Sequence, residues 1–189
     1  RFLSEQQVME QSFQLGVQIY NSGFRPTFIV GLWRGGSTVG IYVQECLQTL
    51  NVHTDHIAIR TSYEGAAGYS EMIKNPNMKI RTHGTQYLLE TLNADDSLLI
   101  VDDVYGTGLN VKAVIDRLQE RLKRNMPQDL RVAALWYKPS VNKTTRVPDF
   151  YEAQTSDWLV LPYELEGLTI DEMRAHKPVA AELTEKYDQ

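Results

Sequence analysis

Two adjacent carboxylates, Asp102 and Asp103, follow the unbroken apolar run Leu98-Leu99-Ile100-Val101 and precede the turn Gly106-Thr107-Gly108. Ionised carboxylates are acceptors, suited to the hydroxyls of a sugar. The glycines permit a tight turn and leave the amides of the following helix start uncovered. Amides at a helix N-terminus, together with the positive end of its dipole, hold phosphate. The chemistry on offer is a phosphorylated sugar laid along the turn, with hydroxyls on the acids and phosphate on the amides. The plainer alternative is a buried strand whose acids only cap the next helix.

These residues need elements to position them. An apolar run without alternation reads as a strand buried on both faces of a parallel sheet. Ligands of such sheets bind beyond the carboxyl ends of the strands, where Asp102 and Asp103 are expected. A second strand, turn and helix come earlier: residues 27–33, then Arg34-Gly35-Gly36, then a helix with Val39, Val43, Cys46, Leu47 and Leu50 on one face. Ser37 or Thr38 would cap that helix. Ser4 and Gln7 open an N-terminal helix with Val8, Leu15 and Ile19 inward. Asn21-Ser22-Gly23 ends it.

Residues 56–59 read as a strand that continues to 63. From 64 to 84 no periodicity is visible, which predicts a long loop acting as a lid or a surface insertion. A helix is predicted over 111–124, a strand over 130–137 and a shorter strand over 157–162. Thr169 with Glu172 caps a last short helix, and the tail beyond Pro178 reads as loosely held. Strands alternating with helices give the class α/β, a parallel twisted sheet flanked by helices. One domain over 1–189 is expected, with a core at about 25–140 and a small hood from 1–24 and 141–189.

Composition narrows the function classes. A chain of 189 residues suffices for one domain with a substantial core. Its net charge of −5 speaks against a nucleic-acid-coating surface. Cys46, the single cysteine, forms no intrachain disulfide or cysteine zinc site, and suits a reducing compartment. No charge-free apolar segment reaches the ~18–20 residues needed to cross a bilayer, and Arg1-Phe2-Leu3-Ser4-Glu5 shows no signal-peptide core. A cytoplasmic location without membrane or nucleic-acid partners is therefore expected.

The stretch 98–110 resembles the phosphoribosyl-diphosphate (PRPP) signature of the type I phosphoribosyltransferases. Four further segments, in order, resemble the 6-oxopurine members, most like the bacterial xanthine–guanine type. Trp33-Arg34-Gly35-Gly36 is similar to their pyrophosphate loop, in which the peptide before the arginine is often cis. Ser62-Tyr63 is similar to the start of their flexible loop. Lys138-Pro139 is similar to the lysine that holds the purine 6-oxo group. Asp157-Trp158-Leu159-Val160-Leu161-Pro162-Tyr163-Glu164 resembles the base-binding segment, whose aromatic stacks on the purine and whose acid six residues later supports magnesium–pyrophosphate.

The resemblance implies Mg²⁺-dependent transfer of a 5-phosphoribosyl group from PRPP to hypoxanthine, guanine or xanthine in purine salvage. Pyrophosphate and a nucleoside monophosphate are the products, and the implied assembly is a homodimer or homotetramer. It assigns catalysis to Asp102, Asp103 and Lys138. PRPP falls to Arg34, Gly35, both acids, Tyr105, Gly106, Thr107, Gly108 and Asn110. The base falls to Lys138, Trp158 and Leu159, and the metal to Asp102 and Glu164.

Three positions depart from the pattern. Gly106 stands where purine-specific members usually carry Asp, Asn110 where Thr or Ser is usual, and Glu164 where Asp is usual. Two alternatives therefore stay open: a non-catalytic, regulatory nucleotide- or PRPP-binding relative, and a transferase with another acceptor base.

Overall fold

The computed structural model describes residues 1–63 and 80–186. Among these, six strands form one sheet in the order β3-β2-β1-β4-β5-β6. In chain order the elements are α1 (Glu5–Asn21), β1 (Phe28–Trp33), α2 (Gly35–Thr49), β2 (Asp55–Tyr63), β3 (Ile80–His83) and α3 (Gln86–Thr91). They continue with β4 (Ser97–Tyr105), α4 (Leu109–Leu122), β5 (Asp129–Tyr137), β6 (Phe150–Gln154), α5 (Ile170–His176) and α6 (Pro178–Glu185). All neighbouring strands run parallel except β2 and β3.

The apolar runs are continuous because both faces of the sheet are covered. Phe28, Val30, Leu32, Leu98, Ile100, Val132 and Ala134 share one buried cluster with Val111, Val114, Ile115 and Leu118 of α4. The alternate residues meet α2. Gly31 lies so close to Ser37 that an added Cβ would fall 2.8 Å from the Ser37 Cα, and Gly40 sits over the Ile29 side chain. On α1, Gly16 leaves room for Cys46 of α2. Ser4 Oγ accepts from the Gln7 amide at 3.1 Å, as a cap of α1 should.

The strand order makes a switch point. From β1 the chain passes to β2 on one side, and from β4 to β5 on the other. Pairing of β1 with β4 ends at Gly31 and Val101. Pairing of β4 with β5 runs on to Tyr105 and Tyr137. Beyond Val101, β4 has lost its β1 neighbour, and the sheet opens there.

Several sequence expectations need correction. Asp102 and Asp103 lie within β4, not beyond it, because β5 keeps pairing with β4 past them. Neither Ser37 nor Thr38 caps α2, which already begins at Gly35 with Arg34 at its cap position. Of the loop expected over 64–84, residues 64–79 lie outside the described residues. Ile80–His83 is a strand, since antiparallel pairing with β2 decides a segment whose own pattern is weak. The strand expected over 157–162 is absent. Phe150–Gln154 takes the edge beside β5, while Val160 makes only an isolated bridge to Phe2. The tail past Pro178 is helical, with Pro178 at the position where its missing N–H costs nothing.

By packing, the chain divides into two compact units, Met9–Ser156 and Arg1–Val8 with Asp157–Gln189. Residues 9–24 and 141–156 thus fall in the unit that contains the sheet. In the smaller unit, Phe2 stacks on His176 with ring centroids 3.8 Å apart. Lys177 Nζ donates to the carbonyls of Leu161 and Pro162 at 2.7 Å each. Thr169 and Glu172 form the expected capping box of α5.

Two glycines of α2 should respond oppositely to a methyl group. A Cβ on Gly36 would fall 2.3 Å from the Val101 carbonyl oxygen and 2.9 Å from the Asp102 Cα, both backbone. Gly36→Ala should destabilise by about 1–3 kcal/mol. At Gly40 the nearest atoms are 3.8 and 3.9 Å away, in the middle of the helix. Gly40→Ala should stabilise by about 0.5–1 kcal/mol. Urea unfolding of both variants checks the pair, and equal effects would contradict this packing.

Candidate active site

The site grows from the opened end of β4. Asp102 Oδ1 accepts from the Asp103 amide at 3.0 Å, and Asp103 Oδ1 from the Val104 amide at 2.8 Å. Each carboxylate is thereby oriented by the next peptide. Burial pushes the Asp102 carboxyl well above the usual range, and the neighbouring Asp103 charge adds to the rise. The Asp103 amide opposes it.

Asp102, Tyr105, Gly106, Thr107, Gly108 and Asn110 line one cleft, so the central sequence assignments come together in space. The cleft closes on the start of α4. Its cap residue is Gly108, left-handed at φ 74° and without a side chain to occupy the helix amides. Gly106 is not among the positive-φ residues. Tyr105 is buried there.

The second turn reaches the same place. The Trp33–Arg34 peptide is cis, as the resemblance implies. Arg34 and Trp33 are exposed, while Gly35 and Gly36 are buried. The close approach of Gly36 to Asp102 puts the N-terminus of α2 directly against β4 where the acids begin. Ser37 Oγ, in that first turn, is buried without a partner. The positive ends of two helices, α2 and α4, therefore flank the acid pair, which suits a ligand carrying anions at two ends.

Lys138 follows β5 and is half-buried, with its amide donating to the Tyr105 carbonyl at 2.9 Å. Its backbone is thus fastened to the end of β4. Ser62 sits in β2, register-paired with Arg81, and its Oγ lies 2.9 Å from His83 Nε2. Tyr63 ends β2 opposite Ile80. Trp158, Leu159 and Glu164 belong to the smaller unit. There Trp158 is 62% exposed and Leu159 is buried. Glu164 Oε2 accepts from the Leu161 amide at 2.9 Å. Among the described residues no group of three or more His, Cys, Asp or Glu side chains is disposed to hold a metal. No helix of the described residues is long and apolar enough to cross a membrane.

Sequence reasoning missed the segment after Lys138. Lys143 N donates to the Thr107 carbonyl at 2.9 Å, and the Tyr105 hydroxyl lies 3.2 Å from Thr144 Oγ1. Residues 139–148 are polar and without periodicity, so nothing in their pattern marks them as neighbours of the glycine turn.

A family model described as the phosphoribosyl transferase domain matches residues 4–165. No curated protein matches the chain. Among solved structures, a purine phosphoribosyltransferase from Pyrococcus horikoshii Ot3 is 24% identical with a TM-score of 0.65, over 89% of this chain and 96% of that one. A hypothetical protein from Neisseria gonorrhoeae with bound ppGpp is 16% identical with a TM-score of 0.67, over 94% and 95%. The xanthine-guanine-hypoxanthine phosphoribosyltransferase of Helicobacter pylori is 18% identical with a TM-score of 0.62, over 93% and 99%. At these identities the likeness is one of fold.

The raised Asp102 carboxyl has a consequence for stability. The folded state holds its proton to higher pH than the unfolded chain, whose carboxyl titrates near ~3.9. Stability from this group is therefore present below that value and lost as pH rises through the folded one. Asp102→Asn should raise the Tm of the ligand-free protein at pH 7–8 and flatten its decline above pH ~4, with each kcal/mol read as about 2–4 °C. Melting curves across pH check this, and an unchanged Tm and slope would contradict it.

Proposed function

The chain belongs to the phosphoribosyl transferase domain family, and from that premise we propose that it transfers the 5-phosphoribosyl group of PRPP to a 6-oxopurine. The observation that carries the proposal is the cleft where Asp102 and the Gly106–Gly108 turn meet at the switch point, with the α2 N-terminus against the same strand. In this reading the amides of the α4 turn hold the 5-phosphate, and Arg34 with the Gly35 turn holds the diphosphate. Asp102 and Asp103 take the ribose hydroxyls. The C1–O bond to pyrophosphate breaks, a C1–N bond to the purine forms, and the purine's N–H proton leaves to solvent. Positive charge builds on the ribose ring as the diphosphate departs, and the two acids on its hydroxyls would stabilise it.

Lys138 donates to the purine 6-oxo group, which a 6-amino base could not accept. The resemblance gives stacking on the base to Trp158 and reading of its edge to the Leu159 backbone, and it counts Ser62 and Tyr63, at the end of β2, among the residues of the reaction. Mg²⁺ is hard and takes one or two carboxylates plus phosphate and water oxygens, not a full protein cage. The resemblance gives this role to Asp102 and Glu164, and the ion would draw off charge from the departing diphosphate. The proposed setting is purine salvage in the cytoplasm, by a homodimer or homotetramer.

Gly106 favours a second reading. With no Asp beside the purine, a general base typically worth ~10²–10⁴-fold is missing. The chain would then bind a phosphorylated nucleotide or PRPP without turning it over. The Neisseria structure of similar fold carries ppGpp.

A base-depletion panel with PRPP and Mg²⁺ separates the readings. Consumption of hypoxanthine, guanine or xanthine with release of pyrophosphate is expected, and saturable PRPP binding without release would favour the second reading. Xanthine, the most acidic of the three, should be used best, with rates rising as the base deprotonates. Gly106 has no positive φ to block a side chain. Gly106→Asp should therefore speed transfer to hypoxanthine at neutral pH by at least about tenfold. A fast, pH-independent wild-type rate on hypoxanthine would show that no base is needed. Lys138→Met should cost 6-oxopurines at least about tenfold in KM and leave the Kd of PRPP within about twofold. Equal losses for both would misplace the lysine.

A further inference from the structure

We infer that Thr144 is a positioning residue for the phosphate-binding turn, acting through the buried hydroxyl of Tyr105; this rests on the phosphoribosyltransferase reading of the cleft. Among the described residues, the turn has few bonds within itself. Gly108 is left-handed, and its neighbour Thr107 offers the Leu109 amide only a long 3.4 Å contact. What restrains it comes from the segment after Lys138. Lys138 N binds the Tyr105 carbonyl and Lys143 N the Thr107 carbonyl, each at 2.9 Å. Between these two ties stands Thr144. With its own proton on Asn142, Thr144 Oγ1 accepts from the Tyr105 hydroxyl at 3.2 Å, and the Arg146 carbonyl, 3.1 Å from that hydroxyl, is the alternative acceptor of the same proton.

Asn142 fixes Thr144 in turn. Its Oδ1 accepts from the Thr144 amide at 2.9 Å and from Thr144 Oγ1 at 3.0 Å. Its amide nitrogen donates to the Arg146 carbonyl at 2.9 Å and the Tyr137 hydroxyl at 3.2 Å. Gly108 closes the arrangement. A Cβ there would fall 2.6 Å from the Tyr105 hydroxyl and 2.8 Å from Thr144 Oγ1. The two hydroxyls thus form the floor on which the glycine rests, and the turn's amides are aimed by side chains that never touch the ligand. A partly buried polar set of this kind restrains its surroundings when its members are satisfied.

The test is binding of three ligands to the full chain: PRPP, ribose 5-phosphate, which engages the turn, and pyrophosphate, which engages the Arg34 turn. Thr144→Val removes the hydroxyl at nearly constant volume. It should weaken ribose 5-phosphate and PRPP by about threefold to tenfold, leave pyrophosphate within about twofold, and leave kcat at saturating PRPP little changed. Thr144→Ser should restore wild-type affinity. Tyr105→Phe, which keeps the ring, should reproduce the selective loss, so the inference stays testable should Thr144→Val not fold. Unaltered ribose 5-phosphate binding in Thr144→Val or Tyr105→Phe, equal loss of all three ligands, or no rescue by serine would overturn it. A wild-type chain that binds neither PRPP nor ribose 5-phosphate would overturn the phosphoribosyltransferase reading itself.

Discussion

The structure depends on the parting of β1 from β4. The two strands pair as far as Gly31 and Val101, and then β4 continues with β5 alone. That divergence frees one edge of a strand that would otherwise be buried on all sides. Asp102 and Asp103 are the first residues past it. A helix start must fill the corner without filling the cleft, and Gly36 permits this by bringing backbone against backbone where a methyl group would not fit. The architecture of the site is therefore a packing decision made in the core. The glycine serves the fold and the chemistry at once.

Electrostatics follow from the same corner. A carboxylate drawn out of water beside another is costly, and burial with the Asp103 charge holds the Asp102 proton on to higher pH. Two features lessen that cost in the ionised form: the Asp103 amide that donates to Asp102, and the positive helix ends nearby. The ligand-free protein carries the remainder as lost stability. Binding groups gain from such an arrangement because a hydroxyl-bearing ligand supplies donors that water supplied before burial. Under the proposed function, stability and affinity pull in opposite directions at this residue, as is common where a site is pre-organised.

How much of this was legible in the sequence depends on whether the signal is local. Residues 98–110 announce themselves because strand, turn and helix start each have their own pattern in one short stretch. The sheet class, the helices opened by Ser4 and Thr169, and the glycine turn at Arg34 were legible for that reason. Strand identity at the edges was not. The apolar 157–162 looks more strand-like than Phe150-Tyr151-Glu152-Ala153-Gln154, yet the latter holds the edge of the sheet. Pairing beside β5, not propensity, decides that case. The same holds for Ile80–His83, whose partner lies across a segment that offers no pattern. Thr144 is the extreme: a polar residue in a polar stretch, given meaning only by the hydroxyl of Tyr105 across 39 positions of chain.

Gly106 differs from Gly36 and Gly108, and the difference bears on why it is there. Gly36 is required by contact and Gly108 by a left-handed backbone. Gly106 has no such conformation, so its backbone does not demand glycine. It lines the cleft with Asp102, beside an acid pair whose charges already oppose each other. A third carboxylate there would raise the cost of ionising the pair, and under the proposed function a larger neutral residue would take space meant for the base. A glycine does neither. It leaves the acids more easily ionised and the cleft wider, at the loss of a group that could take a proton. Its backbone conformation thus does not explain the residue; under the proposed transfer it gives up general-base help and keeps room and charge at Asp102 and Asp103.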